Sequence, residues 1–294
     1  MIEIREARGG DFAKVHPLLQ RFQNPNVGEA QWRQLFVDHS GLQNDVFGYV
    51  MTDGDEIVGF LGATLGERTI RGKKHRFCNL SNWIVIDEYR DKSVGLLSRA
   101  IEAVEQHATI TVLSPSPHVL KLFQLLRFHM LDKSERILLP SPSSVWSGLW
   151  TGTRVLTDRA AVEASLGGEL LTIFRNHQLP YNNHLLLETP EGPCYVLFNR
   201  SWKAVRGNLR LPFGRVHHIS APDVFVRHVG RVVASAMMRF LVAAVIVDER
   251  ALRGAKVWHS VPRPGARSLG AFQSDELGPA DIDGLYTEAV LLNY

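Results

Sequence analysis

The sequence predicts an α/β (α+β) protein organised as two domains, and three observations carry that expectation. Short apolar–polar alternations, the mark of half-buried strands, are interleaved with stretches whose apolar residues recur at helical spacing. The run from Asn79 to Val104, NLSNWIVIDEYRDKSVGLLSRAIEAV, joins an apolar strand to an amphipathic helix through a short polar turn. Near the middle of the chain, Pro140-Ser141-Pro142-Ser143-Ser144 continues neither a helix nor a sheet interior and reads as a linker. The expected division is residues 1–139, a linker over 140–150, and residues 151–294.

The elements follow in order. Ile2 to Ala7 alternates as a strand. Asp11 can cap a helix whose apolar positions are Phe12, Val15, Leu19 and Phe22, with Pro17 kinking or shortening it. A second helix near Glu29 to Phe36 offers Trp32 and Phe36. Val46 to Thr52 and Glu56 to Leu65 read as strands joined by the turn Asp53-Gly54-Asp55. Phe77 to Ile86 is the next strand, and Val94 to His107 is a helix with Val94, Leu97, Ile101 and Val104 on one stripe. Thr109 to Leu113 is a buried strand, Pro117 opens a helix at a position where proline costs little, and Arg136 to Leu139 is a strand. In the second half, Ala160 to Phe174 is helical with a break at Gly167-Gly168. Cys194 to Phe198 and Val216 to Ile219 are strands, and Val224 to Met238 is helical. Leu241 to Val247, Lys256 to Val261 and Leu285 to Leu292 complete the set as strands.

Composition excludes several classes. The chain is 45% hydrophobic and 21% charged, which is ordinary for a globular protein. A net charge of +3 gives no long-range attraction to nucleic acid, and no aromatic interleaving suggests a single-strand platform. Phe240 to Val247, the longest apolar run, is too short to cross a bilayer. Cys78 and Cys194 form neither a disulfide framework nor a zinc pattern, and no metal is expected. With Ile2-Glu3-Ile4-Arg5 reading as a strand rather than a leader, a reducing cytoplasm is the expected location.

The strand–turn–helix from Asn79 is the feature that points to a ligand. The first N–H groups of a helix have no intrahelical partner, and the helix dipole adds positive charge there, so a pyrophosphate is the natural tenant. The turn reads Arg90-Asp91-Lys92-Ser93-Val94-Gly95. This segment resembles the coenzyme A-binding core of the GNAT superfamily of N-acetyltransferases, in which Q/R-x-x-G-x-G/A lies between a strand and a helix. Arg90 and Gly95 match, and Ser93 replaces the middle glycine. The resemblance covers Ile2 to about Leu139 and follows family order throughout. It implies a mixed, mostly antiparallel sheet flanked by helices. The element order of the second half is similar, and Arg227-His228-Val229-Gly230-Arg231-Val232 echoes the phosphate loop, so a degenerate tandem copy is expected, with an unrelated α+β domain as the alternative.

The resemblance further implies acyl-coenzyme A as co-substrate. Ile84, Val85 and Ile86 stand where backbone N–H groups meet the pantetheine arm and thioester carbonyl, and Arg90, Asp91, Lys92, Ser93, Val94, Gly95 and Leu96 stand where a nest of amides holds the pyrophosphate. The family's usual base, a strand glutamate, has no counterpart among Asn79, Ser81 and Asn82, and Glu88 lies beyond the strand. The usual acid, a helix tyrosine, is Phe123 here, with Arg127 where glycine is usual, so the catalytic residues are unassigned. His218 is a weak candidate base. Adjacent His217 and His218 face opposite sides of a regular strand and cannot readily share a metal. His75 and His118 read as surface or loop residues, Cys78 and Cys194 as buried thiols, and Arg71-Gly72-Lys73-Lys74-His75-Arg76 as a solvated hairpin. Trp146, Trp150, Trp202 and Trp258 either line a cleft or simply pack.

The expected activity is transfer of an acetyl or other acyl group from acyl-coenzyme A to a primary amine of a small molecule or peptide, with room for a homodimer. The alternatives are a coenzyme-binding regulator without turnover, suggested by Phe123, and an interaction scaffold that has lost the ligand, suggested by Ser93.

Overall fold

A computed structural model describes residues 1–104, 108–140, 153–206, 209–263 and 268–293. Most of the expected linker lies outside the described residues, as do Trp146 and Trp150. The chain forms two compact units, Met1–Leu131 with Leu269–Gly278 and Tyr286–Tyr294, and Asp132–Ser268 with Pro279–Leu285.

The first unit is built on strands β1 (Ile2–Glu6), β2 (Gly48–Asp53), β3 (Glu56–Ile70), β4 (Lys73–Val85), β5 (Thr109–Val112) and β6 (His129–Lys133). Its helices are α1 (Phe12–Gln20), α2 (Glu29–Trp32), α3 (Ser93–Ala103) and α4 (Pro117–Leu125). β1 to β4 are antiparallel neighbours, and β4 runs parallel to β5 after the α3 crossover. The β3–β4 hairpin turns at Arg71 (φ +53°) and Gly72 (φ +79°), the pair of positive angles that a two-residue turn needs to match strand twist. On one sheet face Leu96, Leu97 and Ala100 of α3 pack with Met51, Leu61 and Leu80. Phe12 of α1 meets Phe36 edge to face, and Phe36 in turn stacks on Phe60.

The second unit contains β8 (Arg154–Leu156), β9 (Asn182–Thr189), β10 (Gly192–Arg206), β11 (Leu209–Ile219), β12 (Ala244–Asp248) and β13 (Ser260–Pro262). Its helices are α5 (Arg159–Ser165), α6 (Gly168–Asn176), α7 (Pro222–Arg227) and α8 (Val229–Phe240). Val224, Phe225, Val232, Val233 and Ala236 pack on Leu185, Leu187, Cys194, Val196 and Phe198. β11 runs parallel to β12, as β4 does to β5.

The two sheets share one plan. The first has the order β1-β2-β3-β4-β5-β14-β6, where β14 is Ser268–Gln273, and the second β8-β9-β10-β11-β12-β7-β13, where β7 is Glu135–Leu138. The tandem expected from the sequence is present, with an exchange: the sixth place in each sheet is filled from the other half of the chain. β14 pairs antiparallel with β5, and β7 antiparallel with both β12 and β13. The two continuous domains expected, 1–139 and 151–294, are thereby corrected to units that are discontinuous in sequence, because β7 belongs to the second sheet and residues 269–278 and 286–294 to the first unit.

Other expectations change at the local level. Asp11 does not cap α1 with its side chain; it holds Arg5 through two bonds of 2.7 and 2.8 Å and accepts from the Arg8 N–H. α3 ends at Ala103, since Val104 is already extended, and residues 105–107 of the expected helix lie outside the described residues. His75 is buried and lies 3.6 Å from Glu276. The final apolar stretch is not a strand. Glu288–Leu292 is a short helix, α9, after Thr287, whose carbonyl accepts from Val290 and Leu291.

Candidate functional site

β4 and β5 share only three register positions, Phe77↔Thr109, Cys78↔Ile110 and Asn79↔Thr111. β4 then continues to Val85 on its β3 partner, so among the described residues its other edge carries no strand beyond Asn79. A bulge sits in this free stretch. Asn82 has φ +53°, and the pairing with β3 jumps from Gly62↔Ser81 to Phe60↔Ile84. The Ile86 N–H donates to the Val58 carbonyl at 2.9 Å. In an antiparallel ladder successive residues alternate edges, so Ile84 and Ile86 direct their amides to β3, and Val85 turns its own to the open edge. Of the three residues expected to meet a thioester, the geometry leaves Val85 available.

The turn also differs from expectation. Asp87–Lys92 forms a 3-10 helix leading directly into α3. The Tyr89 N–H is used by the Ile86 carbonyl and the Ser93 N–H by Arg90, and no residue from Asp87 to Leu96 has a positive φ. A nest alternates right- and left-handed residues, so the expected amide cradle is not formed here. Ser93 explains part of this: its hydroxyl donates to the Arg90 carbonyl at 2.7 Å and reinforces the right-handed turn. Arg90 pairs with Asp87 at 2.8 Å on the surface, where such a pair contributes little. Lys92, Asp91 and Val94 are exposed, and Leu96 is in the core. Gly95 has an ordinary φ, and a Cβ there would meet only Ile4 Cδ1, at 3.4 Å. Protein packing therefore does not demand this glycine.

Phe123 is a core residue, edge to face with Phe128 at 4.8 Å. Arg127 adopts the left-handed conformation (φ +62°) that favours glycine, ending α4 while Phe128 N–H bonds back to the Phe123 carbonyl. Burial raises the Cys78 thiol to about 12 and Cys194 to about 11, which removes both as nucleophiles at neutral pH. Lys73 pairs with Glu276 and Lys74 with Glu67, consistent with a solvated hairpin. Trp258 is exposed, and Trp202 carries the Arg200 guanidinium over its ring.

One residue of the first unit was not legible as a site residue. Glu288, only 1% exposed, accepts from Asn79 Nδ2 at 2.6 Å and from the Ser114 hydroxyl. Asn79 in turn accepts from the Thr111 hydroxyl at 3.2 Å. Asn79 and Thr111 are the last pair of the parallel register, so a carboxylate is buried where the two strands part. Neutral donors hold both its oxygens. The sequence signal was a lone acid within the apolar run from Leu285 to Leu292.

In the second unit β11 follows β12 over Phe213↔Ala244, Gly214↔Val245 and Arg215↔Ile246, then also departs and bulges, with His217 the extra residue between the pairs Phe198↔Val216 and Leu197↔His218. The bulge breaks the alternation on which opposite-facing histidines depended. Both rings meet the 283–284 segment: His218 Nδ1 lies 2.7 Å from Asp283, and His217 packs on Gly284. Among the described residues no group of side chains could hold a metal. The phosphate-loop echo at Arg227–Val232 is the junction of α7 and α8, with Val232 in the core.

Each sheet thus begins with four antiparallel strands and a parallel fifth that splays from the fourth beside a bulge. The fold is that of the GCN5-related N-acetyltransferases. A GCN5-related N-acetyltransferase from Anabaena variabilis is similar over 92% of this chain and 72% of its own, with a TM-score of 0.57 and 12% identity. One from Kribbella flavida is similar over 93% and 72%, with a TM-score of 0.55 and 14% identity. The Saccharomyces cerevisiae N-myristoyltransferase, solved with bound myristoyl-CoA, is similar over 97% and 83%, with a TM-score of 0.51 and 12% identity. No protein-family model matches the sequence, and no curated protein matches it. The GNAT fold occurs here twice, and no helix among the described residues is long and apolar enough to cross a membrane.

Proposed function

We propose that this protein is an N-acyltransferase that moves an acetyl or other acyl group from acyl-coenzyme A to a primary amine of a small molecule or peptide. The observation that carries the reading is the open edge of β4 beyond Asn79, which ends at the turn and helix of the coenzyme-like motif. The similar proteins named above support it at the level of fold, and fold alone does not assign an activity.

On this reading the Val85 N–H polarises the thioester carbonyl. Arg90 and Lys92 supply positive charge to the pyrophosphate by their side chains, since the backbone turn forms no nest, and Gly95 lets the helix start approach it. The acceptor amine attacks the carbonyl carbon directly. The C–N bond forms, the C–S bond breaks, the amine's surplus proton passes to solvent, and the thiolate leaves to be protonated by solvent because Phe123 has no proton to give. A coenzyme-binding regulator without turnover is the second reading, favoured by the buried phenyl at Phe123.

Titration of the full chain with acetyl-coenzyme A and with coenzyme A, followed by thiol release on adding a primary amine, tests the proposal. Saturable binding with amine-dependent thiol release is the expected result. Binding without release selects the regulator. Failure to bind these ligands and longer acyl-coenzyme A species would leave only a scaffold.

A further inference from the structure

The second unit departs from the first after its fifth strand. In the first unit β5 is followed by the nine-residue helix α4. In the second, β12 is followed by a single 3-10 turn, Glu249–Leu252, which ends in two left-handed residues, Arg253 (φ +49°) and Gly254 (φ +75°). The chain then runs through irregular backbone and a turn until it reaches β13 at Ser260. A cleft of about 430 Å³ lies beside this segment, lined by Arg136 of β7, Glu249, Leu252, Lys256, Trp258 and Ser260 among others. That volume is within the usual range for small-molecule sites. Every lining residue belongs to the second unit.

The polar groups of the cleft are mostly donors. Arg136 donates from Nε to Ser260 Oγ at 3.1 Å and from Nη1 to Glu249 at 2.9 Å, leaving Nη2 without a partner among the described residues. Ser260 spends its own proton on the Val257 carbonyl at 2.6 Å. Glu249 and Arg136 offset each other's charge. Lys256 is exposed and meets no carboxylate among the described residues, so its charge is the surplus of the cleft. Ammonium and guanidinium groups donate and never accept, so the complementary guest brings acceptors and negative charge. The other unusual lining residue is Trp258. Tryptophan is highly buried on average, yet this one is 92% exposed. Leu252 and Val257 add apolar wall beside it. A flat ring laid on the indole would take apolar surface of both partners out of water.

We infer that this cleft binds a small anion carrying a flat ring, an aromatic carboxylate or a ring-bearing phosphate ester, with the ring on Trp258 and the anionic group toward Lys256 and Arg136. The inference goes beyond the acyl-transfer reading and does not rest on it, since the β4 edge belongs to the first unit and no covalent step is involved. Both parts of the ligand are required. A bare anion has no ring for Trp258, and an exposed ion pair alone contributes little. A neutral ring leaves Lys256 uncompensated.

The test uses the full chain labelled with 5-fluorotryptophan, in which the ¹⁹F signal lost in Trp258→Phe reports on the cleft. The protein is titrated, without any coenzyme, with 1-naphthoate, AMP, their neutral counterparts 1-naphthalenemethanol and adenosine, and inorganic phosphate. The Trp258 signal should shift saturably with naphthoate, AMP or both, and the one that responds names the anionic group. The neutral rings and inorganic phosphate should each bind about tenfold more weakly or worse. Trp258→Ala should weaken the responding anion about five- to tenfold in calorimetry, the value of one aromatic stack. Lys256→Gln should weaken it about threefold and remove most of its salt dependence. Both side chains are exposed, so neither variant threatens the fold. No shift of the Trp258 signal with either anion, an equal response to the anions and their neutral counterparts, or unchanged affinity in both variants would overturn the assignment.

Discussion

β4 and β11 hold the same place in their sheets, share three residues of parallel register with the next strand, and bulge soon after leaving it. What they carry beyond that point differs in kind. β4 continues with Trp83, Ile84 and Val85, and its polar feature is the buried carboxylate of Glu288 beside Asn79. β11 carries His217 and His218, and its polar feature is a set of buried imidazoles with Asp283. A shared backbone plan thus fixes where an open strand edge lies, while the side chains at that edge decide what it can hold. Duplication of a fold duplicates the opportunity for a site, not the site.

Val85 carries the largest expected effect. Its N–H faces the open edge rather than β3, so Val85→Pro removes a donor without breaking a ladder bond. Turnover should fall about 100-fold, as for loss of one oxyanion donor, with the melting temperature little changed. Retained turnover in steady-state kinetics would separate the β4 edge from the chemistry. Next comes Glu288→Leu, which leaves Asn79 and Ser114 without their acceptor. Stability in urea should drop by about 2–4 kcal/mol.

A third effect separates the units by pH. His184 and His217 are held down to about 3 by burial, from 6.5. On unfolding each regains its ordinary proton affinity, so the unfolded state binds more protons between these values and stability falls as pH falls below 6.5. By pH 5 each should cost about 2 kcal/mol. In the first unit burial lowers only His39 in this way among the described residues, while Asp11, lowered by Arg5, matters only below the ordinary carboxylate range. Hydrogen exchange between pH 7 and 5 should therefore show the second unit loosening first. Equal loosening of both would contradict it. The smallest expected effect is at Gly95. Gly95→Ala should raise stability by up to about 1 kcal/mol through helix propensity, and a simultaneous loss of coenzyme affinity in calorimetry would show that a ligand needs the space.

Much of the first unit was legible because its strands and helices are local and cleanly patterned. The run from Asn79 to Val104 announced strand, turn and helix in order. The angle of the turn was not legible, since Ser93 can either accept a left-handed neighbour or bond back to Arg90, and it does the latter. β9, NNHLLLET, was missed because buried polar residues on one face erase the apolar alternation. Thr287 and Glu288 opened a helix where the apolar run suggested a strand, and Glu288 could not be placed in a site without knowing that residues 286–294 return to the first unit. The exchange of β7 and β14 has no local signature at all.

That exchange bears on how the protein comes into being. A ribosome delivers β1 to β6 long before β14, and the gap of some 140 residues between Leu131 and Gln273 takes on the order of 10–30 s to synthesise. Throughout that interval the nascent first sheet has β5 and β6 without the strand that joins them, two bare edges waiting in sequence order. Vectorial synthesis therefore cannot finish one half before starting the other, and the last strand to emerge is the one that closes the sheet begun first.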